Sequence, residues 1–143
     1  MQKNLYVTSV LKRLNKFKVH KLVSLLKVDL GFTLQTLFIN FISSKEIHHI
    51  NKNYLNHDFS TDIITFNYSG SNSDFDGEIF ISLEDAKEFA KKFNVSLNNE
   101  LTRLVIHGIL HLTGYDDMES NDKKKMKSVE NYLTIKYNFP LLR

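Results

Sequence analysis

The 143 residues, 42% of them hydrophobic, suffice for one globular domain over residues 1–143 and are too apolar for a disordered chain. No stretch approaches the roughly 18 apolar residues of a membrane span, and the N-terminus has no apolar secretion-signal core. The absence of cysteine excludes disulfides and thiolate metal ligands. With no export signal and no apolar span, we expect a cytoplasmic protein with no membrane partner.

The net charge of +3 is unevenly distributed along the chain. Residues 1–28 contain seven Lys or Arg and no acidic residue, whereas the remaining 115 residues contain 12 basic and 16 acidic side chains. A basic N-terminal surface suits a polyanionic partner. A solvated helix face on a basic protein is about equally consistent with the charge alone.

The first part of the chain predicts a strand, a helix, a second strand and a second helix. Leu5–Leu11 is rich in β-branched residues and predicts a strand, and a helix is expected over about Lys16–Lys27. Thr33–Ile42 has apolar residues at both alternating sets of positions, so we expect a central strand covered on both faces. Ser43–Glu46 forms a capping box, which predicts the start of the next helix.

This second helix should end at Asn56–Asp58. Its buried side is expected to consist of three residues at helical spacing, Ile47, Ile50 and Tyr54. His48 and His49 are adjacent, so they point in different directions and should lie on the surface. His57 directly precedes the next predicted strand and can have a functional role, although an ordinary loop histidine is the simpler interpretation.

The second part of the chain predicts two strands, Thr61–Tyr68 and Glu78–Ser82, joined by the polar, exposed segment Ser69–Gly77. Three helices follow, with expected spans of about Ser82–Phe93, Leu97–Thr113 and Asp122–Tyr137. Lys123–Lys125 is expected to be a solvated face of the last helix. The apolar side of that helix should consist of Met126, Val129, Leu133 and Tyr137.

The segment from His107 to Asp117 reads His-Gly-Ile-Leu-His-Leu-Thr-Gly-Tyr-Asp-Asp. Histidines four residues apart, here His107 and His111, lie on one face of a helix, and Gly114 can end that helix in the left-handed conformation. The chain can then return a carboxylate, from Asp116 or Asp117, toward the two rings. A His/His/Asp set leaves one position open, as in catalytic zinc sites, although histidine pairs at this spacing also occur on ordinary helices.

The spacing of this segment matches that of metzincin proteases, but one catalytic part is missing. Those enzymes carry a glutamate directly after the first histidine as the general base. Gly108 occupies that position, so peptide hydrolysis by this route is not expected, and no other general base is identifiable. Glu100, seven residues before His107, can orient a ligand ring, although a surface role is equally consistent.

Together these elements predict an α/β fold. About four strands form one mixed sheet with helices packed over it, and the metal-binding helix lies at its centre. Leu5–Ile42 would form a right-handed crossover if its two strands are parallel neighbours.

The His107–Asp117 segment resembles the signature of the YbeY-type endoribonucleases, the rRNA maturation factor family, which reads His-Gly-x-Leu-His-Leu-x-Gly-Tyr-Asp-His. Every fixed position matches except the last, where the family's third metal-binding histidine is Asp117. Asn51–Tyr54, Ser60–Phe66 and Gly77–Ile79 are similar to the family's Asn-x-x-Tyr-Arg, Thr-Asp-Val-Leu-Ser-Phe and Gly-Asp-Ile blocks. The resemblance extends over about Phe38–Leu133.

The resemblance implies a similar fold and a metal-dependent endoribonuclease that cleaves single-stranded RNA in rRNA maturation and ribosome quality control. Its metal ligands would be His107, His111 and Asp117, with Asp117 preferred over Asp116 because it occupies the family's ligand position. The expected ion is Zn²⁺, which lowers the pKa of bound water and polarises a phosphate oxygen, while Mn²⁺, Fe²⁺ and Ni²⁺ suit the same donors. The expected partners are rRNA and ribosomal particles, and no DNA partner is expected.

Leu55 stands where the family has an arginine, which would naturally hold a phosphate. We therefore expect the RNA contact to differ there, with His57 or a lysine as a replacement. Two other functions stay open: a metalloprotease, which Gly108 opposes, and a non-catalytic ribosome-assembly factor with a structural metal. The open metal position favours hydrolysis.

Overall fold

The computed structural model describes residues 1–57 and 61–143. Asp58 and Ser60, on which a predicted helix end and a motif match depend, lie outside these ranges. Within them, no helix has both the length and the apolar character needed to cross a membrane. The elements follow in the order β1 (Leu5–Ser9), α1 (Lys16–Leu30), β2 (Thr33–Ile42), α2 (Ser44–Leu55), β3 (Ile63–Asn67), β4 (Asp74–Ser82), α3 (Leu83–Lys92), α4 (Leu97–Leu112) and α5 (Ser120–Lys136).

The four strands form one mixed sheet in the order β1-β2-β4-β3. β1 and β4 both pair with β2 in parallel, and β3 pairs with β4 in the antiparallel sense. The predicted α/β class with a four-stranded mixed sheet is therefore confirmed. The parallel pairing of β1 with β2 requires a crossover connection, which α1 provides.

One face of the sheet forms the main core with α1, α4 and α5. Alternate strand residues point into it, as the two-residue period of a strand requires. The buried members on the strands include Leu37, Ile39, Phe41, Ile79 and Ile81, and those on the helices include Leu22, Leu26, Leu104, Val105, Met126 and Leu133.

The opposite face of the sheet is covered only in part. A small cluster of Ile42, Ile47 and Ile64 holds α2 against one end of this face. Beyond it, Phe38 is 38% exposed and stacks on Tyr6 with ring centroids 5.1 Å apart. The prediction that β2 is covered on both faces is therefore wrong at Phe38, which lies outside the cluster that α2 covers.

Tyr54 also contradicts its prediction, since its side chain is 74% exposed and does not join the buried side of α2. Near the last turn of α2, the buried polar residue is Asn51. The apolar contact of the helix is made by Ile47 and, in part, by Ile50. The predicted spacing is thus met at Ile47 and Ile50, while Tyr54 lines an open pocket over β3 and β4 with Phe66 and Phe80.

The polar segment before β4 was predicted to be an exposed connection as far as Gly77, but β4 already begins at Asp74. Phe75 is fully buried and stacks on Phe32 with ring centroids 4.4 Å apart. The Asp74 carboxylate accepts hydrogen bonds from Thr33 and Gln35 of the neighbouring strand. The polar residue at the start of β4 therefore pairs with the neighbouring strand and does not mark a loop.

Smaller differences occur at the ends of elements. β1 ends at Ser9, α1 continues to Leu30 before Gly31 takes a φ of 70°, and β3 is shorter than predicted. The last helix begins at Ser120 with Glu119 as its N-cap, two residues earlier than expected.

Gly108 lets α4 approach the sheet closely. A Cβ atom at this position would lie 2.9 Å from Ile79 Cδ1 and 3.2 Å from Ile63 Cδ1. Both contacts are shorter than ordinary van der Waals separations. The glycine therefore faces the sheet, and it sets the distance between the two histidines of α4 and the strands below them.

We expect the Gly108→Val substitution to lower the free energy of unfolding by about 1–3 kcal/mol, because the added methyl groups overpack this contact. Chemical denaturation measures the change, and Ser128→Val on the exposed side of α5 is the matched control. An equal effect of the two substitutions would show that the α4–sheet contact is not tight.

Candidate metal centre

The two histidines project from the last turns of α4, where the helix end is fixed by a glycine. The ring centroids of His107 and His111 are 4.7 Å apart, with an angle of 78° between the planes. Gly114 has a φ of 105°, and the following Tyr115 N–H donates to the Leu110 carbonyl over 3.0 Å. The helix therefore ends where the sequence predicted, and the chain turns back toward the rings.

The turn after Gly114 brings Asp117 beside both histidines. Asp117 Oδ2 lies 3.6 Å from His111 Nε2 and 3.9 Å from His107 Nε2, and the two Nε2 atoms are 3.1 Å apart. One donor atom from each residue lies within 4.8 Å of the other two. Asp116 turns away, since its Oδ1 accepts the N–H of Met118 over 2.9 Å. Of the two aspartates that the spacing left open, Asp117 is the one next to the rings.

Hydrogen bonds to the Nδ1 atoms determine which nitrogens face Asp117. His107 Nδ1 lies 2.5 Å from Glu130 Oε1, and His111 Nδ1 lies 3.2 Å from the Tyr115 carbonyl oxygen. A carbonyl or an ionised carboxylate only accepts, so each Nδ1 is the donor in these contacts. In the neutral form of either ring, the lone pair then lies on Nε2. Both Nε2 atoms and a carboxylate oxygen thus converge, an arrangement of donor atoms that a cation can stabilise.

The separations between these donor atoms fit one metal ion. Two ligands of a tetrahedral zinc ion, each at about 2.0–2.1 Å, lie about 3.3 Å from one another. Burial lowers the pKa of His111, and repulsion from His107 acts in the same direction, which favours the neutral ring that metals bind. The Asp117 side chain is 41% exposed, so one side of the cluster is open to solvent.

Glu130 of α5 is the site residue that the sequence analysis missed. Both predicted roles of Glu100, orienting a ligand ring and lying on the surface, are wrong: Glu100 is fully buried, and its carboxylate is bound by Arg103. Glu130 is also buried and lies on the apolar side of α5, between Met126 and Leu133. The sequence signal that could have revealed Glu130 is its place among the apolar positions of the last helix. A carboxylate buried there needs a partner.

Arg103 joins the two buried carboxylates. Its Nε and Nη2 donate to Glu100 over 2.7 and 2.6 Å, and its Nη1 donates to Glu130 over 3.1 Å. Burial alone would raise the pKa of Glu130, but the His107 ring and Arg103 hold it below its usual value. Glu130 is therefore ionised and able to accept the His107 Nδ1–H. Burial raises the pKa of Glu100, and the two bonds from Arg103 oppose that rise.

A cleft of about 260 Å³ opens beside His107 and Asp117. Lys123 is exposed, as expected, yet it also lines this cleft together with Lys127. Leu55 and His57 are not among the described residues that line this cleft. Its remaining walls consist of Asp62, Ile63, Phe89, Arg103, Leu104, Met126 and Glu130.

We expect Arg103→Met to lower the free energy of unfolding by about 3–5 kcal/mol, because it leaves two buried carboxylates without their shared cation. Lys127→Met is the control, since its ammonium group is exposed and lies 3.7 Å from Glu130, where an ion pair contributes about 0–1 kcal/mol. Urea denaturation of both variants measures the difference. A cost below that of the control would mean that Arg103 does not stabilise the buried carboxylates.

The fold and this cluster define an α/β protein that carries a candidate metal site at the end of a helix packed on a mixed sheet. The model of the endoribonuclease YbeY family matches residues 2–138. The chain belongs to this family, as the His107–Asp117 motif predicted. The family consists of endoribonucleases, which are hydrolases acting on RNA. The relation of the ligand spacing to metzincin proteases stays a prediction.

Curated relatives and one solved structure support this assignment. An endoribonuclease YbeY from Chlorobium phaeobacteroides is 41% identical over 100 residues, which cover 70% of each chain. One from Chlorobium limicola is 39% identical over 76% of this chain and 74% of its own. The solution structure of TM1509 from Thermotoga maritima matches with a TM-score of 0.68 and 27% identity, over 93% of this chain and 88% of that one.

Proposed function

We propose that this protein is a metal-dependent endoribonuclease that cleaves single-stranded RNA and takes part in rRNA maturation and ribosome quality control in the cytoplasm. The observation that carries the proposal is the convergence of the His107 and His111 Nε2 atoms with Asp117 Oδ2, while the two Nδ1 atoms are held by Glu130 and the Tyr115 carbonyl. Of the ions that suit this donor set, we propose Zn²⁺. When bound, a divalent ion supplies Lewis-acid chemistry, which favours ionisation of water and polarises a phosphate oxygen.

The protein's own residues would contribute orientation and charge. His107, His111 and Asp117 would hold the ion, while Glu130 and the Tyr115 carbonyl keep the Nδ1 atoms occupied and leave both Nε2 atoms facing Asp117. The ionised carboxylate of Glu130 also increases the electron density on the His107 ring, which strengthens it as a ligand.

The cleft beside the site suits a strand of RNA. Lys123 and Lys127 lie along the cleft and can contact phosphate oxygens. These contacts would take the place of the arginine that the family has at the position of Leu55. Arg103 is not proposed for this role, because its guanidinium is already bound by Glu100 and Glu130. We propose rRNA within ribosomal particles as the substrate, on the basis of family membership.

Two observations argue against the other functions. Gly108 faces Ile79 and Ile63, so a general base at that position could not reach a substrate, which opposes peptide hydrolysis. Among the described residues, three protein donors converge at the site, whereas structural zinc sites usually have four. The set therefore resembles a catalytic site more than a structural one.

We expect His107→Ala and His111→Ala each to remove the bound metal and to lower the rate of RNA cleavage by at least about a hundredfold, because each deletes a ligand. The metal content is measured by elemental analysis of protein purified without chelator or affinity tag, and cleavage is measured on an unstructured RNA. His49→Ala, an exposed histidine on α2, is the control. Stoichiometric metal or undiminished cleavage in the site variants would overturn the proposal.

The neighbouring aspartates offer a sharper comparison. We expect Asp117→Asn to weaken metal binding by about tenfold or more, since an amide oxygen replaces a charged ligand. Asp116→Asn should leave the affinity within about twofold, because that carboxylate binds the Met118 N–H and not the ion. Competition with a chromogenic chelator measures both affinities. A larger loss in the Asp116 variant would exchange the roles assigned to the two residues.

A further inference from the structure

The start of α1, the loop before it and the C-terminal tail form a basic surface with exposed aromatic character. Five cations lie within ten residues of the sequence, and Phe17 between them is 60% exposed. Residues 1–28 contain no acidic side chain. We call this surface the α1 patch, and it consists of Lys12, Arg13, Lys16, Phe17, Lys18, Lys21 and Phe139.

The tail holds Phe139 against two of these cations. The Lys21 and Lys18 ammonium groups lie 4.8 and 5.9 Å from the centre of the Phe139 ring. Asn98, at the start of α4, fixes the tail, because its side chain bonds the backbone of Phe139 and Leu141. The ring and the first turns of α1 therefore form one ordered surface.

The positive charge of the α1 patch is not neutralised within the described ranges, where none of its cations forms an ion pair with a carboxylate. The acidic residue of α1, Asp29, lies eight residues beyond Lys21, about 12 Å along the helix. Asp29 is already bound by Lys136 and Tyr137. Lysines in the first turn also oppose the helix dipole, so this charge does not serve the stability of α1.

We propose that the α1 patch is a second RNA-binding surface, which holds the backbone of a substrate at a distance from the candidate metal site. The proposal rests on the RNA-cleaving function above. Cations release counterions from phosphates, and an exposed ring such as Phe17 offers a face on which a base can stack. An acidic protein or an anionic membrane could bind the positive charges of the patch, but neither has a nucleobase to stack on the Phe17 ring.

The distance along α4 determines the length of RNA that can use both places. Asn98 holds the tail at one end of the helix, and His111 lies thirteen residues further, about 20 Å along the axis. At about 3.4 Å per stacked nucleotide, this distance corresponds to about six nucleotides. An RNA of about 30 nucleotides is therefore long enough to occupy both places at once.

The test measures binding of single-stranded oligoadenylate of about 30 nucleotides, with EDTA present so that the RNA stays intact. We expect Lys18→Ala/Lys21→Ala to weaken binding about tenfold and to reduce the slope of log K against log salt by about 1.4, which corresponds to two phosphate contacts. Phe17→Ala should weaken binding several-fold and leave that slope unchanged, since stacking is not ionic. Lys87→Ala/Lys91→Ala removes the same charge from exposed positions of α3 and should change binding less than about twofold.

Further variants and ligands separate RNA binding by the α1 patch from a loss of folding and from membrane binding. Lys18→Arg/Lys21→Arg keeps the charge and should keep the affinity, and the thermal midpoint of the alanine variant should not fall. Equal weakening by the α1 and α3 variants would overturn the proposal. The proposal would also be overturned if the α1 variant lost binding to phosphatidylglycerol vesicles while its RNA binding was unchanged.

The proposed catalytic function and the proposed RNA-binding surface can fail separately. RNA binding through the α1 patch without any cleavage would refute only the catalytic function. Cleavage of long RNA that the patch variant does not affect would refute only the RNA-binding role of the α1 patch.

Discussion

The hydrogen bond between His107 Nδ1 and the Glu130 carboxylate is the contact on which the geometry of the site depends. It joins the helix that carries the histidines to the last helix of the chain. The carboxylate can lie in this apolar interior because Arg103 neutralises it from the other side. The orientation of one imidazole therefore depends on a buried ionic network that extends to Glu100.

Two glycines determine where this network lies. Gly108 allows α4 to rest on β3 and β4 at a separation that any side chain would increase. Gly114 ends the same helix and redirects the chain, so that Asp117 approaches the rings and the Tyr115 carbonyl meets His111. The imidazoles are thus held by packing beneath them, by a carboxylate beside one ring and by the returning turn beside the other.

The parts of the molecule that were predictable from sequence are those set by local pattern. β2 and α4 followed from apolar periodicity and capping, and the meeting of His107 and His111 with a following aspartate followed from spacing and a helix-ending glycine. The choice of Asp117 over Asp116 came from the resemblance to the family motif. The ion-pair partner of His107 was not predictable, because Glu130 is 23 residues away and its choice over Glu100 depends on how α5 packs. The start of β4 was missed for a similar reason, since only the neighbouring strand explains its polar residues.

The last helix contributes to both the His107 contact and the cleft within about two turns. Glu130 holds the imidazole of His107, while Lys123 and Lys127 line the neighbouring cleft. A displacement of α5 would alter both contacts at once. Occupancy of the cleft and affinity for the proposed ion would then be thermodynamically linked. Such linkage is reciprocal, so each ligand would change the binding affinity of the other by the same factor.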